Sequence, residues 1–167
     1  SFGGVGSWTA TLVGAYVPGI QPSVYPPGFG IKLPKGARVM LQMHYPKGSA
    51  GQTDQTQFRA RFSRHPAPRQ VFLDAVLNPS NMLDGPLVIS PNVVKTFRQR
   101  LRIPFDASIL SIAPHMHLIG TSTKLWIRTQ RGDTIPLLKI PHWDFHWQMI
   151  YTFKKLLPVK AGDFVES

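Results

Sequence analysis

Apolar and polar residues alternate with a period of two along most of this chain, a pattern that predicts half-buried β-strands. Residues 57–62, with the sequence QFRARF, show the alternation most clearly. Sixteen prolines and fourteen glycines leave little room for a long helix. The predicted strands cover residues 8–17, 38–45, 57–62, 70–77, 93–103, 109–118, 123–129, 149–157 and 163–167.

Many short strands separated by turns are typical of a β-sandwich or a jelly roll. The clearest boundary is the segment 64–69, where Pro66 and Pro68 stiffen the chain and remove ladder donors. We therefore expect an all-β protein with two jelly-roll-like β-sandwich domains, the first only partly present. The expected limits are 1–64 for the end of the first domain, 65–69 for a linker, and 70–167 for the second domain, truncated at its C-terminus. On this interpretation the chain is an internal piece of a longer protein.

The composition limits the chemistry that this stretch can carry. Hydrophobic residues make up 43% of the 167 residues, enough for a core, and no apolar run approaches the roughly 20 residues that cross a bilayer. Because there is no cysteine, any metal must be bound by histidine, methionine or carboxylate. The sequence has no nucleophile elbow and no phosphate-binding glycine loop.

The net charge of +11 is concentrated in residues 59–69 and 95–102. One interpretation is an anionic partner, either a polyanion or an anionic surface, or a place in a larger assembly. The interpretation that we prefer is that these stretches are solvated strand faces. The aromatic residues among the cations fit any half-buried strand as well as a stacking platform, so nucleic acid is not the expected partner.

The sharpest chemical feature is the sequence His115-Met116-His117. Side chains alternate along a strand, so the two imidazoles are expected on one face, where they could meet on one metal ion. A zinc or copper site needs three or four such donors, and the others would have to come from elsewhere. The competing interpretation is a structural pair of strand histidines.

The remaining histidine candidates are weaker on spacing alone. His44 closes a predicted strand, and a single strand histidine is usually a half-buried residue with ordinary partners. His142 and His146 have the spacing of a helical metal site, but the aromatic sequence that follows Pro141 predicts a packed turn between strands.

Four stretches together resemble the copper type II, ascorbate-dependent monooxygenases, the family of dopamine β-monooxygenase and peptidylglycine α-hydroxylating monooxygenase. Their order along the chain fits that family, and the lack of cysteine favours a bacterial type of relative. The stretches are GAYVPG at 14–19, LQMHY at 41–45, PHMHLIG at 114–120, and WDFHWQ at 143–148 followed by LPVKAGD at 157–163.

The resemblance implies two copper sites. His44 would be a ligand of the first, whose histidine pair would lie before Ser1. His115 and His117 would be ligands and catalytic residues of the second, whose methionine would lie after Ser167. Met116 points to the opposite strand face and cannot replace that methionine.

The resemblance also implies the activity: hydroxylation of a C–H bond of a small organic substrate by dioxygen, with ascorbate or another external reductant. His44 is expected in a different copper site from His115 and His117, and Gln42 could orient water or substrate beside it. The location would be extracytoplasmic, in the periplasm or secreted. The alternative is a non-catalytic structural or interaction subunit derived from the same fold.

Overall fold

The computed structural model describes residues 11–17, 19–45, 47–76 and 81–167. The chain divides into two compact units. The first consists mainly of Ser23–Asp74, and the second combines Tyr16–Pro22 with Ala75–Ser167. Strands make up 26% of the structure and helix 1%. The expectation of a β-rich chain with hardly any helix is therefore confirmed.

Among the described residues of the first unit, regular structure is confined to one short parallel pair. β1 (Phe29–Gly30) lies beside β2 (Arg69–Gln70). The amide of Arg69 donates to the carbonyl of Gly28 at 3.0 Å, and the amide of Val71 donates to Gly30 at 2.8 Å. Glycine suits position 30, because a Cβ there would lie 3.1 Å from the Cβ of Ala67 and one of the two residues would have to shift by a few tenths of an ångström. The segment 65–69 thus leads directly into a strand pairing within this unit.

The strands predicted at 38–45 and 57–62 are wrong within the described residues, because neither segment forms a ladder. Side chains on both faces of these segments are exposed; Val39 is 47% and Met40 66% accessible. A period-two sequence becomes a strand only when a neighbouring strand takes up its backbone hydrogen bonds. These segments have no such neighbour in the described part of the chain. The strand predicted at 8–17 lies partly outside the described residues.

The second unit contains the other strands, all antiparallel to their neighbours. A four-stranded sheet has the order β3-β8-β5-β6, and β4 pairs separately with β7. The strands are β3 (Arg100–Arg102), β4 (Ala107–Ile112), β5 (Thr123–Arg128), β6 (Thr134–Ile140), β7 (Tyr151–Val159) and β8 (Phe164–Glu166).

The core of the second unit is an aliphatic cluster to which both sheets contribute. Ile127 from the four-stranded sheet is fully buried, and Val159 from β7 is 4% exposed. Ile103 completes the buried set, and Ile109, Ile135, Leu137, Leu157 and Val165 pack against it. Burying one such side chain contributes roughly 1.5–3 kcal/mol, so this cluster dominates the stability of the unit.

One strand of the sheet does not follow from the alternation. β6 has the sequence TIPLLKI, in which Pro136 and two adjacent leucines break the period of two. The strand tolerates proline because it is the last in the described sheet and pairs with β5 across a bulge between Leu125 and Trp126. A search of the described residues for a helix long and apolar enough to span a bilayer finds none.

Candidate metal centre

His115 and His117 lie in the loop that follows β4 rather than in the strand itself. β4 ends at Ile112, and the buried Pro114 comes two residues later. Proline has no amide hydrogen to donate, so the ladder cannot continue through it. The predicted strand 109–118 is therefore too long, and both histidines are exposed in the loop.

A tight turn holds this loop, and Gly120 is part of it. The amide of Gly120 donates to the carbonyl of His117 at 2.9 Å. A Cβ at position 120 would lie 2.8 Å from the Cβ of Met116 and 3.2 Å from its sulfur. The half-buried Met116 is thus folded against the glycine, and any larger residue at position 120 would displace it.

The loop brings the two imidazoles together. Their ring centroids lie 5.1 Å apart and their planes are 83° from parallel. Two imidazoles on adjacent positions of one tetrahedral ion, with metal–nitrogen bonds of about 2.0–2.1 Å, have centroids about 5 Å apart. The separation therefore suits a shared ion, and it is also the separation of an edge-to-face ring pair.

A glutamine from the loop before β7 orients the ring of His115. The Nδ1 atom of His115 lies 2.6 Å from Oε1 of Gln148. Nε2 of Gln148 donates to the carbonyl of Phe145 at 2.8 Å, which fixes which end of the amide faces the histidine. Because Oε1 can only accept, Nδ1 of His115 must carry the proton, and in the neutral ring the lone pair belongs to Nε2.

This arrangement is the usual outer support of a metal-binding histidine. Such histidines donate their second ring N–H to a carboxylate, carbonyl or water, which fixes both tautomer and orientation. Gln148 is 9% exposed, so its amide is held in place by its surroundings. His115 is thereby prepared to offer Nε2 to a ligand.

The segment that carries Gln148 also supplies an aromatic neighbour. The ring of Phe145 lies 6.3 Å from that of His117 and 5.8 Å from that of His146, both edge to face. His146 itself pairs with Asp144: its amide donates to Oδ1 at 2.8 Å, and its Nδ1 lies 3.3 Å from the same oxygen. These contacts, together with a turn at residues 145–146, confirm the predicted turn between strands.

His44 and Gln42 belong to the first compact unit. Both side chains are exposed, and the segment that carries them is not a strand. The shared strand face proposed for Gln42 and His44 is therefore absent. That His44 belongs to a different copper site from His115 and His117 stays a prediction.

The donor set fits copper in part. Two neighbouring neutral imidazoles are good ligands for either oxidation state of copper. However, no group of three or more histidine, aspartate or glutamate side chains in the described residues is placed to hold a metal. The residues that the structure describes therefore offer two donors of a site that needs at least one more.

Comparisons with known proteins add no identity: no protein-family model, no curated protein and no solved structure matches the chain.

Sequence reasoning did not find Gln148 or Phe145. Gln148 is 33 positions from the histidine that it contacts, so no spacing rule links them. The available signal was the conjunction of a glutamine with an aromatic turn in the stretch 143–148, which the family resemblance had marked without assigning a role to either residue.

Proposed function

We propose that this chain is part of a copper-dependent monooxygenase that hydroxylates a C–H bond of a small organic substrate, using dioxygen and an external reductant such as ascorbate. The observation that carries the proposal is the imidazole pair of His115 and His117, with the His115 tautomer fixed by Gln148. The order of the four resembling stretches supports it independently.

The wider arrangement forms part of the same proposal. The two compact units would be parts of two jelly-roll-like sandwiches, with the first represented only by its end. His44 would serve a second copper that stores an electron. The location would be extracytoplasmic.

The residues of the second unit would have different roles at the copper bound by His115 and His117. His115 would bind through Nε2, and His117 would supply the neighbouring donor. Gln148 holds the His115 proton at Nδ1, away from the metal side. Phe145 provides an apolar neighbour for His117. When bound, copper would supply the redox chemistry with dioxygen, for which neutral imidazole ligands are suited.

Copper binding by the intact protein that contains this chain tests the proposal. The change is His115→Ala with His117→Ala, and the matched control is His142→Ala with His146→Ala, a second pair of exposed histidines. We expect the first double variant to lose one bound copper per chain, as measured by titration and by the nitrogen coupling of the Cu(II) resonance. The control should bind as the wild type does. Equal copper in all three proteins would reject the assignment.

A second candidate is a non-catalytic structural or interaction subunit that retains the fold. The absence of a three-donor group among the described His, Asp and Glu side chains favours this alternative. Oxygen consumption by the intact protein with copper and ascorbate separates the two. Substrate-dependent uptake that the His115→Ala variant abolishes supports the enzyme, and copper binding without uptake supports the subunit.

A further inference from the structure

The outer face of the four-stranded sheet is strongly basic. Ile127, Val165 and Ile135 lie side by side in the ladder and pack in the core, so their neighbours along each strand point outward. These outward residues include five cations and one carboxylate. We call the set the basic face; its members are Arg100, Arg102, Lys124, Arg128, Lys139, Trp126, Phe164 and Glu166.

The single carboxylate of the basic face is already engaged. Glu166 is 4% exposed; its Oε1 accepts from Nε of Arg100 at 2.7 Å, and its Oε2 accepts from the indole of Trp126 at 2.7 Å. Nε of Arg128 lies 3.5 Å from Oε2. Glu166 thus organises two arginines and fixes the indole, and its charge is shared between them.

The other cations of the face have no acidic partner in the part of the chain that the structure describes. Lys124 lies directly opposite Lys139 in the β5–β6 ladder, and both are exposed. Like charges placed directly opposite each other destabilise a sheet. Nζ of Lys124 lies 5.3 Å from the centre of the Trp126 ring, a cation–π contact that leaves its charge uncompensated. A bound anion would convert this repulsion into attraction.

A groove follows the β5–β6 ladder across this face. It is open to solvent, has a volume of about 520 Å³, and is lined by Lys124, Trp126, Arg128, Thr134, Pro136 and Lys139 together with Leu125, Leu137 and Leu138. The two lysines lie at one end and Arg128, opposite Thr134, at the other. Between them, Trp126 pairs with Pro136 as an apolar floor. The groove therefore offers positive charge at both ends and a ring-sized apolar surface in the middle.

We propose that this groove binds a segment of a linear acidic polysaccharide. The apolar faces of sugar rings would lie on Trp126 and Pro136, and carboxylate or sulfate groups would meet Lys124 and Lys139 at one end and Arg128 at the other. Clusters of basic residues are the usual electrostatic feature of such sites. The inference is independent of the copper chemistry proposed above.

Two other polyanions fit the face less well. Single-stranded nucleic acid binds through aromatic side chains on which successive bases stack. Here the groove is lined by a single aromatic side chain, Trp126, so successive bases would have no series of rings on which to stack. A membrane-surface element carries exposed large apolar side chains, and none of the exposed large hydrophobics of the described residues belongs to this face.

The test measures binding of the 167-residue chain to heparin and polygalacturonate oligosaccharides, with neutral dextran as the uncharged probe. The change is Lys124→Gln with Lys139→Gln, and the matched control is Lys154→Gln with Lys155→Gln, two exposed lysines of β7. Both variants lose the same charge. We expect the groove variant to bind about tenfold more weakly and with a smaller salt dependence, and the control to change by less than about twofold.

A second measurement keeps the result independent of folding. The indole N–H resonance of Trp126, assigned with Trp126→Phe, should shift on titration with either oligosaccharide, while those of Trp143 and Trp147 should not. Equal weakening in both lysine variants would overturn the proposal, because the net charge alone would then explain binding. Tighter binding of single-stranded DNA or of anionic phospholipid vesicles than of the oligosaccharides, at equal ionic strength, would overturn it in favour of those partners.

Discussion

The two compact units differ in how far their apolar side chains are exposed to solvent. In the first, residues 38–45 carry Val39, Met40 and Leu41, and all three are exposed. In the second, β5 is as apolar in its centre, but β8 and β6 pair with it on both sides, and Ile127 is fully buried in a cluster with Ile103 and Val159. The difference shows that the alternation supplies a surface to bury, whereas paired backbone neighbours decide whether it is buried.

The largest expected effect is a core truncation in the second unit. Ile127→Ala should lower its free energy of unfolding by about 2–5 kcal/mol, because the fully buried side chain leaves a cavity. Met40→Ala in the first unit, where the side chain is 66% exposed, should change stability by less than about 0.5 kcal/mol. Denaturant unfolding of both variants measures the contrast, and similar losses would show that residues 38–45 are packed in solution.

That contrast marks what the sequence could predict. β5 agrees with the expected strand 123–129 to within one residue, because Leu125 and Ile127 have a core to face. β6 was missed since its Pro136 and paired leucines hide the period, and only its position at the end of the sheet makes the proline acceptable. The strands at 38–45 and 57–62 were wrong because pairing is a property of the fold rather than of the segment.

At the metal centre, too, one part could be predicted from the sequence and another could not. The spacing of His115 and His117 predicts neighbouring rings, and they lie 5.1 Å apart even though Pro114 ends the strand before them. Spacing could not predict Gln148, because the turn before β7 brings it to His115 only in the folded chain. Local patterns therefore identify candidate ligands, and long-range folding supplies the residues that orient them.

An effect of intermediate size is expected on copper affinity when one of two glutamines, one in each unit, is replaced. Gln148→Leu should weaken copper binding by about 10–100-fold, because His115 loses the acceptor that fixes its tautomer. Gln42→Leu, at an exposed position of the first unit, should leave this site unchanged. Copper titration gives the affinities, and the ¹⁵N shifts of His115 in the metal-free protein give the tautomer.

Two outcomes separate the possible failures. If His115 becomes a mixture of tautomers in Gln148→Leu, Gln148 does position the ring. If the wild-type protein nevertheless binds no copper, the copper function is rejected while this positioning role is kept. Gln148→Glu keeps an acceptor in the same place and should restore the single tautomer. An unchanged His115 spectrum in Gln148→Leu would contradict the positioning role.

The smallest effect concerns two exposed carboxylates. Hydrogen bonds from Lys160 and from the amide of Ala161 lower the pKa of Asp106 in the second unit, and hydrogen bonds from Thr56 and Tyr45 lower the pKa of Asp54 in the first. A lowered folded-state pKa stabilises the protein above the ordinary pKa of the group, and this contribution is lost as the pH falls through the lowered value.

Substitution should separate the two carboxylates. Asp106→Asn should flatten the acid limb of the stability curve of the second unit, whereas Asp54→Asn should leave that limb unchanged. Thermal unfolding followed between neutral and strongly acidic pH measures both, and an equal flattening would show that the units unfold together.

β6 also affects whether two copies of this chain can associate through the edges of their sheets. It is the last strand of the four-stranded sheet in the described part of the chain, and such a strand is a template on which another copy can add a strand. Pro136, the bulge opposite it and the exposed Lys139 are the devices by which natural sheets resist that addition. Pro136 and the bulge, which break the period-two pattern of β6, thus also protect this edge against aggregation.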